Sequence, residues 1–162
     1  MWKHIKTDIT IIIIFLGIVF LGTWFYMSYT QPKEIHYTYN GIKYHKAKKE
    51  IAEPVCIEIN GKYKRSFWGE RDEFVGKVII GNEVFIFSRQ PIVFNKNMMA
   101  PFVSYGRSHH GTIFASRMFK EITIDVHEYD GYLISAPCND RKEAVHISNR
   151  LMKKTFMNLK IE

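Results

Sequence analysis

The chain has 162 residues, of which 46% are hydrophobic, 24% are charged and 15% are aromatic. This composition excludes a disordered chain, a collagen-like repeat and a disulfide-dense miniprotein, and the length fits one domain of ordinary size. The net charge is +7, and the chain beyond residue 30 carries nearly all of that excess. This part of the chain is therefore expected to face anionic surfaces.

Residues 1–8 form a short N-terminal tail, and residues 9–30 form an apolar segment without a charged side chain. Because a helix rises about 1.5 Å per residue, roughly 20 residues cross a hydrocarbon core about 30 Å thick. Aromatic rings, which favour the lipid–water interface, cluster at the end of the segment. These rings belong to Trp24, Phe25, Tyr26 and Tyr29. Residues 9–30 are therefore predicted to form one transmembrane helix within a lipid bilayer.

A cleaved signal peptide is the alternative interpretation of this segment, since Lys3 and Lys6 would supply its positively charged start. The apolar run is longer than the core of a usual signal peptide, and residues 22–27 are too bulky for a small-x-small cleavage site. These features favour an uncleaved signal-anchor that crosses the cell membrane once.

The orientation of the anchor depends on the flanking charges. Lys3 and Lys6 favour a cytoplasmic N-terminus, whereas Lys33 and the lysines between residues 43 and 49 weigh in the other direction. We expect the nearest charges to decide, which places the N-terminus in the cytoplasm and the main domain outside it.

Residues 34–162 are predicted to form one β-rich domain, because no repeat, proline-rich tract or Gly/Ser linker divides them. Short apolar or alternating segments are separated by turn-forming dipeptides, and Asn-Gly between such segments is a strong hairpin signal. We predict turns at Asn40–Gly41, Asn60–Gly61, Gly81–Asn82 and Asp130–Gly131. Strands at this spacing imply an antiparallel meander, a sandwich or a partial barrel.

A C-terminal helix is predicted at about residues 140–158. Asp140 and Glu143 have the spacing of a capping box. Side chains suited to one helix face then follow three or four positions apart, at Ala144, Ile147, Leu151 and Thr155. Because this stripe is expected to pack on the sheet, the predicted fold class is α+β, mostly antiparallel β, preceded by one transmembrane helix.

Histidines are the candidates for chemistry. His109 and His110 are adjacent, so their side chains would diverge on a strand, and one metal ion rarely binds both without further ligands. His127 and Asp125 lie two apart and would share one face of a strand, near Glu128. A membrane-tethered enzyme or metal-binding domain that uses His109, His110 or His127 is the alternative function. A polar loop and a solvated strand face are the structural interpretation, and we favour them.

The two cysteines, Cys56 and Cys138, belong to no C-x-x-C motif and cannot close a structural zinc site alone. Outside the cytoplasm they could form a disulfide, and otherwise they pack as small apolar groups. Residues 70–73 form a charge cluster that we interpret as a loop. The sequence contains no nucleotide-binding or serine-hydrolase motif, so no catalytic, cofactor-binding or metal-binding residue is assigned.

Two regions of the chain, each made of two short segments, resemble a known group of proteins. Asn60–Gly69, followed by Asp72–Ile80, resembles a pattern in small uncharacterised membrane-anchored proteins of Bacillus-type bacteria, and Ile134–Pro137 with Glu143–Ala144 is similar to it as well. The resemblance covers about a third of the chain. It implies a domain outside the cytoplasm and no particular activity.

These patterns together predict a single-pass membrane protein whose extracytoplasmic β-rich domain has a binding or structural role at the cell envelope. The basic segment at residues 43–49 would face anionic lipid headgroups or anionic envelope polymers. Nucleic acid is not an expected partner beside a membrane anchor.

Overall fold

The structure is a computed structural model that describes residues 2–68, 71–88, 90–103, 110–127, 131–156 and 161, with side chains from residue 12 onward. The chain divides into two compact units, residues 1–31 and residues 32–162.

The first unit is the helix α1, Trp2–Thr30. Its stretch Ile12–Thr30 has a mean hydropathy of 1.9, and none of that stretch is buried by the rest of the chain. Apolar side chains cover every face of the helix rather than one stripe, and such helices are buried in a large core or in a membrane. By length and composition, α1 is therefore either a membrane span or a signal sequence.

The second unit is built on one curved antiparallel sheet. Its strands are β1 Lys33–His45, β2 Ala52–Lys64, β3 Asp72–Ile80, β4 Glu83–Ile86, β5 Ile92–Phe94, β6 Met99–Val103, β7 His110–Ala115, β8 Ile122–Val126 and β9 Tyr132–Ala136. The order across the sheet is β4-β3-β2-β1-β9-β8-β7-β6, and β5 pairs with the part of β3 that β4 leaves free. The sheet curls into a half-barrel, which confirms the predicted antiparallel β architecture.

Two hydrophobic cores hold this unit together. The larger core fills the concave side of the half-barrel, where Phe119 packs edge-on against the rings of Tyr63, Phe74 and Phe94. The smaller core lies on the convex side, between the second helix and β1, β7, β8 and β9. Both faces of β8 and β9 are consequently buried, whereas β2 and β3 are covered on one face.

The second helix, α2, is Arg141–Met152. The Asp140 side chain caps it by accepting a hydrogen bond from the Glu143 N–H at 2.8 Å. The Glu143 carboxylate in turn accepts one from the Asn139 N–H at 2.9 Å. The Asp140 half of the capping box is thus confirmed, whereas Glu143 accepts from the residue before the N-cap rather than from the N-cap itself. Leu151 of the predicted stripe is buried against the sheet, and Thr155 lies beyond the end of the helix. These elements confirm the α+β fold class.

Two of the predicted turns are wrong. Asn40–Gly41 lies inside β1 and Asn60–Gly61 lies inside β2, and the two strands pair with each other through both dipeptides. The glycines are required by close approach of neighbouring backbone: a Cβ on Gly41 would lie 2.7 Å from the Ser135 carbonyl oxygen, and one on Gly61 would lie 2.8 Å from the Cα of Gly76. They permit crowding within a sheet rather than a change of direction.

The turn at Gly81–Asn82 is confirmed. It joins β3 to β4, and Gly81 has a φ of +57°, a conformation that glycine adopts without steric cost. In the fourth predicted turn, Asp130 lies outside the described residues, and Gly131 has a φ of +73° just before β9.

Replacing Gly61 with alanine tests the crowding between β2 and β3. The added methyl group would meet the backbone of Val75 and Gly76, which cannot move aside without disturbing the ladder. We expect Gly61→Ala to lower the free energy of unfolding by about 1–3 kcal/mol, measured by urea unfolding of the full chain in detergent with near-ultraviolet circular dichroism. Gly17→Ala is the matched control, because a Cβ there meets nothing within 4 Å. An unchanged unfolding midpoint for Gly61→Ala would contradict this account of the sheet.

Candidate functional site

The histidines are the candidates for catalysis or metal binding in the sequence, and the structure brings two of them together. His110 begins β7 and His127 follows β8, and their rings meet edge to face with centroids 5.2 Å apart. The His127 N–H also donates a hydrogen bond to the His110 carbonyl oxygen at 3.0 Å. His109 lies outside the described residues. A pair of exposed imidazoles therefore stands at one corner of the sheet.

The carboxylate nearest in register to this pair is already engaged. Asp125 shares a strand face with His127, but its Oδ2 atom accepts a hydrogen bond from Lys46 Nζ at 2.9 Å. Among the residues that the structure describes, no three His, Cys, Asp or Glu side chains converge as a metal site. Within the described part of the chain, the structure thus shows no set of side chains around this pair that would hold a metal for hydrolysis, and Glu128 lies outside that part.

The two cysteines are both free thiols. Cys56 is exposed on β2, whereas Cys138 is buried after β9 and donates a hydrogen bond from its thiol to the Ser135 carbonyl oxygen at 3.0 Å. Burial raises the pKa of the Cys138 thiol to about 11. Cys138 consequently packs as a small apolar group, which is the second of the two predicted alternatives.

A buried carboxylate that sequence reasoning missed lies at the start of β3. Asp72 is 1% exposed. Its Oδ2 atom accepts a hydrogen bond from the Tyr63 hydroxyl at 2.7 Å, and its Oδ1 atom accepts one from the Ser66 N–H at 2.8 Å. Arg117 Nε lies 3.8 Å from Oδ2 and balances the charge. This cluster, called here the Asp72 bracket, ties the β2–β3 connection to the turn that precedes β8.

The Asp72 bracket corrects the interpretation of the charge cluster at residues 70–73. Asp72 and Glu73 belong to β3 rather than to a loop, and Glu70 lies outside the described residues. The counter-ion of Asp72 is Arg117, which is 45 residues away in sequence. Because nothing in the local sequence links those two positions, only the folded chain reveals the pair. The bracket is filled by its own partners and holds a loop in place rather than binding a substrate.

Phe67 and Trp68 form the most exposed aromatic pair of the second unit. The Trp68 side chain is 83% exposed and that of Phe67 is 42% exposed. Their rings meet edge to face with centroids 5.4 Å apart. Their backbone lies on the short segment between β2 and β3, immediately beyond the Asp72 bracket. The bracket therefore presents two large apolar rings to the surroundings.

A fully buried group of hydroxyls lies under α2. Ser148 on α2 is within 2.6 Å of the Tyr44 hydroxyl, which donates to it, and within 2.7 Å of the Ser135 hydroxyl. Thr123 Oγ1 lies 3.0 Å from Ser135 Oγ and 3.2 Å from Ser148 Oγ. All four side chains are 0% exposed. Each hydroxyl has a partner within the group, so the cluster fixes the seat of α2 on the sheet and is closed to substrates.

The basic segment at residues 43–49 forms the end of β1 and the start of the β1–β2 connection. Lys46 is committed to Asp125, and Lys43 Nζ lies 5.3 Å from the centre of the Tyr132 ring. Lys48 is exposed. Lys43 and Lys46 thus make contacts within the domain. The positive charge of this segment that faces solvent is therefore smaller than the sequence alone indicates.

Within the described residues, the second unit has a groove of about 700 Å³ along α2, lined by residues that include Glu121, Glu143 and His146, and two smaller cavities. One of about 190 Å³ lies beside Phe87, Ile92 and Phe102, and one of about 220 Å³ lies beside Met152 and the Lys46–Asp125 pair. Both are smaller than the 300–1,000 Å³ that is usual for drug-sized ligand sites. The groove along α2 falls within that range. None of these three cavities is lined by His110 or His127, the described histidines that the enzyme alternative names.

Neither a protein-family model, nor a curated protein, nor a solved structure matches this chain.

Tyr44→Phe tests the buried hydroxyl group through its pH dependence. Burial raises the pKa of Tyr44 from 10.0 to about 12, so the folded chain holds the phenol proton more tightly than the unfolded chain does. The resulting stabilisation is complete below pH 10 and is lost as the pH rises through about 12. This loss amounts to about 2–3 kcal/mol. We expect wild type to lose more unfolding free energy than Tyr44→Phe between about pH 9 and pH 12, measured by urea unfolding at a series of pH values.

Tyr63 is present in both proteins of that comparison, so its own alkaline titration cancels. Equal losses for wild type and Tyr44→Phe over this pH range would show that Tyr44 does not titrate as a buried group.

Proposed function

We propose that the protein crosses the cell membrane once through residues 9–30 and carries its β-rich domain outside the cytoplasm, where the domain has a binding or structural role at the cell envelope. The observation that carries the proposal is the surface of α1. Along Ile12–Thr30 the apolar side chains are distributed around the helix, and none of that stretch is buried.

The physical support is the cost of that surface in water. Side chains such as Phe20 and Leu21 are more than half exposed along a run of nearly 20 residues. Apolar surface on this scale is far beyond what a monomeric soluble protein exposes. In lipid the same surface is favourable, and the helix satisfies all the backbone groups between its ends. Trp24, Phe25 and Tyr26 then fall where aromatic rings favour the lipid–water interface.

An uncleaved anchor is favoured over a signal peptide by the residues that follow the apolar run. A signal peptidase needs small side chains near the cut, and residues 22–27 present Trp24, Phe25 and Tyr26 instead. The helix also continues without interruption through these residues to Thr30. This continuity supports the uncleaved anchor.

Retention of the anchor can be measured directly. We expect the full-length chain to remain in the membrane pellet after alkaline carbonate extraction, with an intact mass that includes residue 1. The double variant Ile14→Arg, Leu16→Arg should move to the soluble fraction or fail to insert, because each arginine near the helix centre costs about 2.5–3.5 kcal/mol of insertion free energy. Ile14→Leu with Leu16→Ile is the matched control and should stay in the pellet. A soluble wild-type chain that begins near residue 30 would show that α1 is a cleaved signal peptide.

The orientation of the domain can be tested with the exposed thiol. In a Cys138→Ala variant, Cys56 is the single cysteine, and its exposure on β2 makes it reactive in the folded chain. We expect a membrane-impermeant maleimide to label Cys56 on intact cells. The variant Cys56→Ser, which retains the buried Cys138, is the control and should be labelled only after unfolding. Labelling of Cys56 only after cell lysis would reverse the proposed orientation.

A binding or structural role is favoured over catalysis by what the second unit offers. Two of its buried polar clusters, the Asp72 bracket and the hydroxyls under α2, are satisfied by partners within the domain. Its net positive charge suits anionic partners such as lipid headgroups or envelope polymers. We therefore expect contacts with partners to lie on the surface of the domain.

A further inference from the structure

Trp68 and Phe67 are costly to leave in water, and their exposure calls for a partner. A tryptophan carries one of the largest apolar surfaces of any side chain, and natural domains usually bury most of it. Here the Trp68 side chain is largely exposed, and its ring meets the ring of Phe67 edge to face. Exposed clusters of large apolar groups rimmed by charge mark sites of interaction with proteins or membranes.

The direction of the strands places this aromatic pair at the tethered end of the sheet. Only Gln31 and Pro32 separate the last residue of α1 from Lys33, the first residue of β1. Three Cα–Cα steps span at most about 11 Å, so an anchored α1 would hold the start of β1 at the membrane surface. β2 runs antiparallel to β1, with Tyr63 opposite Lys33. The β2–β3 connection therefore leaves the sheet at the end that the anchor holds.

The charges around the aromatic pair complement an anionic surface. Lys64, the last residue of β2, and Arg65 precede Phe67, and Arg71 follows Trp68, with one acidic residue, Glu70, in the same connection. Glu73 lies 3.9 Å from Lys64 Nζ and offsets part of this charge, while the charge of Asp72 is buried and balanced by Arg117. Basic side chains beside exposed aromatic rings are the pattern of segments that bind anionic lipid interfaces.

The base of the connection is held in place before any partner binds. The Ser66 N–H and the Tyr63 hydroxyl both donate to Asp72, on either side of the point where the chain turns outward. A loop ordered in advance loses less conformational entropy when it binds. The Asp72 bracket thus has a use beyond stability, which is to aim the two rings away from the sheet.

We propose that Phe67 and Trp68 insert into the headgroup region of the bilayer that holds α1, with the exposed Lys64 and Arg71 on anionic headgroups. This inference rests on the proposed anchoring, and it adds a second membrane contact that sets the tilt of the domain. The domain would then stand on the membrane through two points, the start of β1 and the β2–β3 connection, rather than swing on a two-residue tether.

Single-tryptophan variants of the full chain separate the two contacts. One variant, Trp2→Phe with Trp24→Phe, retains only Trp68, and a second, Trp2→Phe with Trp68→Phe, retains only Trp24. Both are reconstituted in vesicles of phosphatidylcholine and phosphatidylglycerol, with and without bromine on the acyl chains near the headgroups. We expect bromine to reduce the emission of Trp68 about two-fold or more, and to quench Trp24 as well.

A third variant supplies the matched control. It lacks all three native tryptophans and carries Lys48→Trp, which places the ring on the exposed β1–β2 connection at the opposite end of β1. We expect its emission to be unaffected by bromine. Replacing phosphatidylglycerol with phosphatidylcholine, or introducing Lys64→Gln with Arg71→Gln, should weaken the quenching of Trp68 and leave that of Trp24 unchanged.

The outcomes separate a failure of the loop contact from a failure of the membrane anchor. Quenching of Trp24 without quenching of Trp68 would overturn the loop contact and leave the anchor standing. Quenching of Trp68 without quenching of Trp24 would overturn the anchor, and with it the proposal that the loop enters the bilayer that holds α1. If the emission of Trp68 is blue-shifted but bromine does not quench it, protein, such as a second copy of the chain, covers the ring. If Trp68 and the tryptophan at position 48 are quenched equally, the domain adsorbs to the vesicle without specificity. Either result overturns the proposal.

Discussion

Strand β1 is the element on which the rest of the second unit depends, because it alone pairs with both halves of the sheet. It pairs with β2 along nearly its whole length and with β9 at its C-terminal third. Side chains alternate between the two faces of a strand, so Ile35, Tyr37 and Tyr39 all point into the half-barrel. Further along, Ile42 and Tyr44 point to the other face, and both are buried there under α2. One strand thus supplies both cores.

This change of buried face explains why the sequence of β1 predicts a hairpin that the structure lacks. The apolar residues occupy odd positions up to Tyr39 and even positions from Ile42, and Asn40–Gly41 stands at the change. A hairpin turn at Asn40–Gly41 would also move the apolar residues from odd to even positions. The actual cause is tertiary, since α2 covers only the second half of the outer face of β1. In β2 the phase continues from Ile59 to Tyr63 through Asn60–Gly61, which is a signal that could have rejected a turn there.

Local patterns predicted those features that local interactions determine: the apolar α1, the capped start of α2, the hairpin at Gly81 and the strands β7, β8 and β9. They missed β5 and β6, which are short and lie near Pro91 and Pro101, residues that count against a strand. Both strands exist because they complete the sheet beside β3 and β7. The pairing of Arg117 with Asp72 and the meeting of His110 with His127 are likewise products of the assembled sheet, and no spacing along the chain encodes them.

The turn before β8 contributes both to the stability of the domain and to the proposed membrane contact. Met118 and Phe119 adopt φ values of 61° and 54°, which cost free energy for residues that are not glycine. That cost is offset because the strained turn drives the Phe119 ring into the centre of the half-barrel and sets Arg117 against Asp72. Asp72 in turn holds the Ser66 N–H. A series of contacts therefore joins the turn that carries Phe119 to Ser66, two residues before Trp68. In the proposed anchored state, the core of the half-barrel would determine not only whether the domain folds but which of its surfaces meets the lipid.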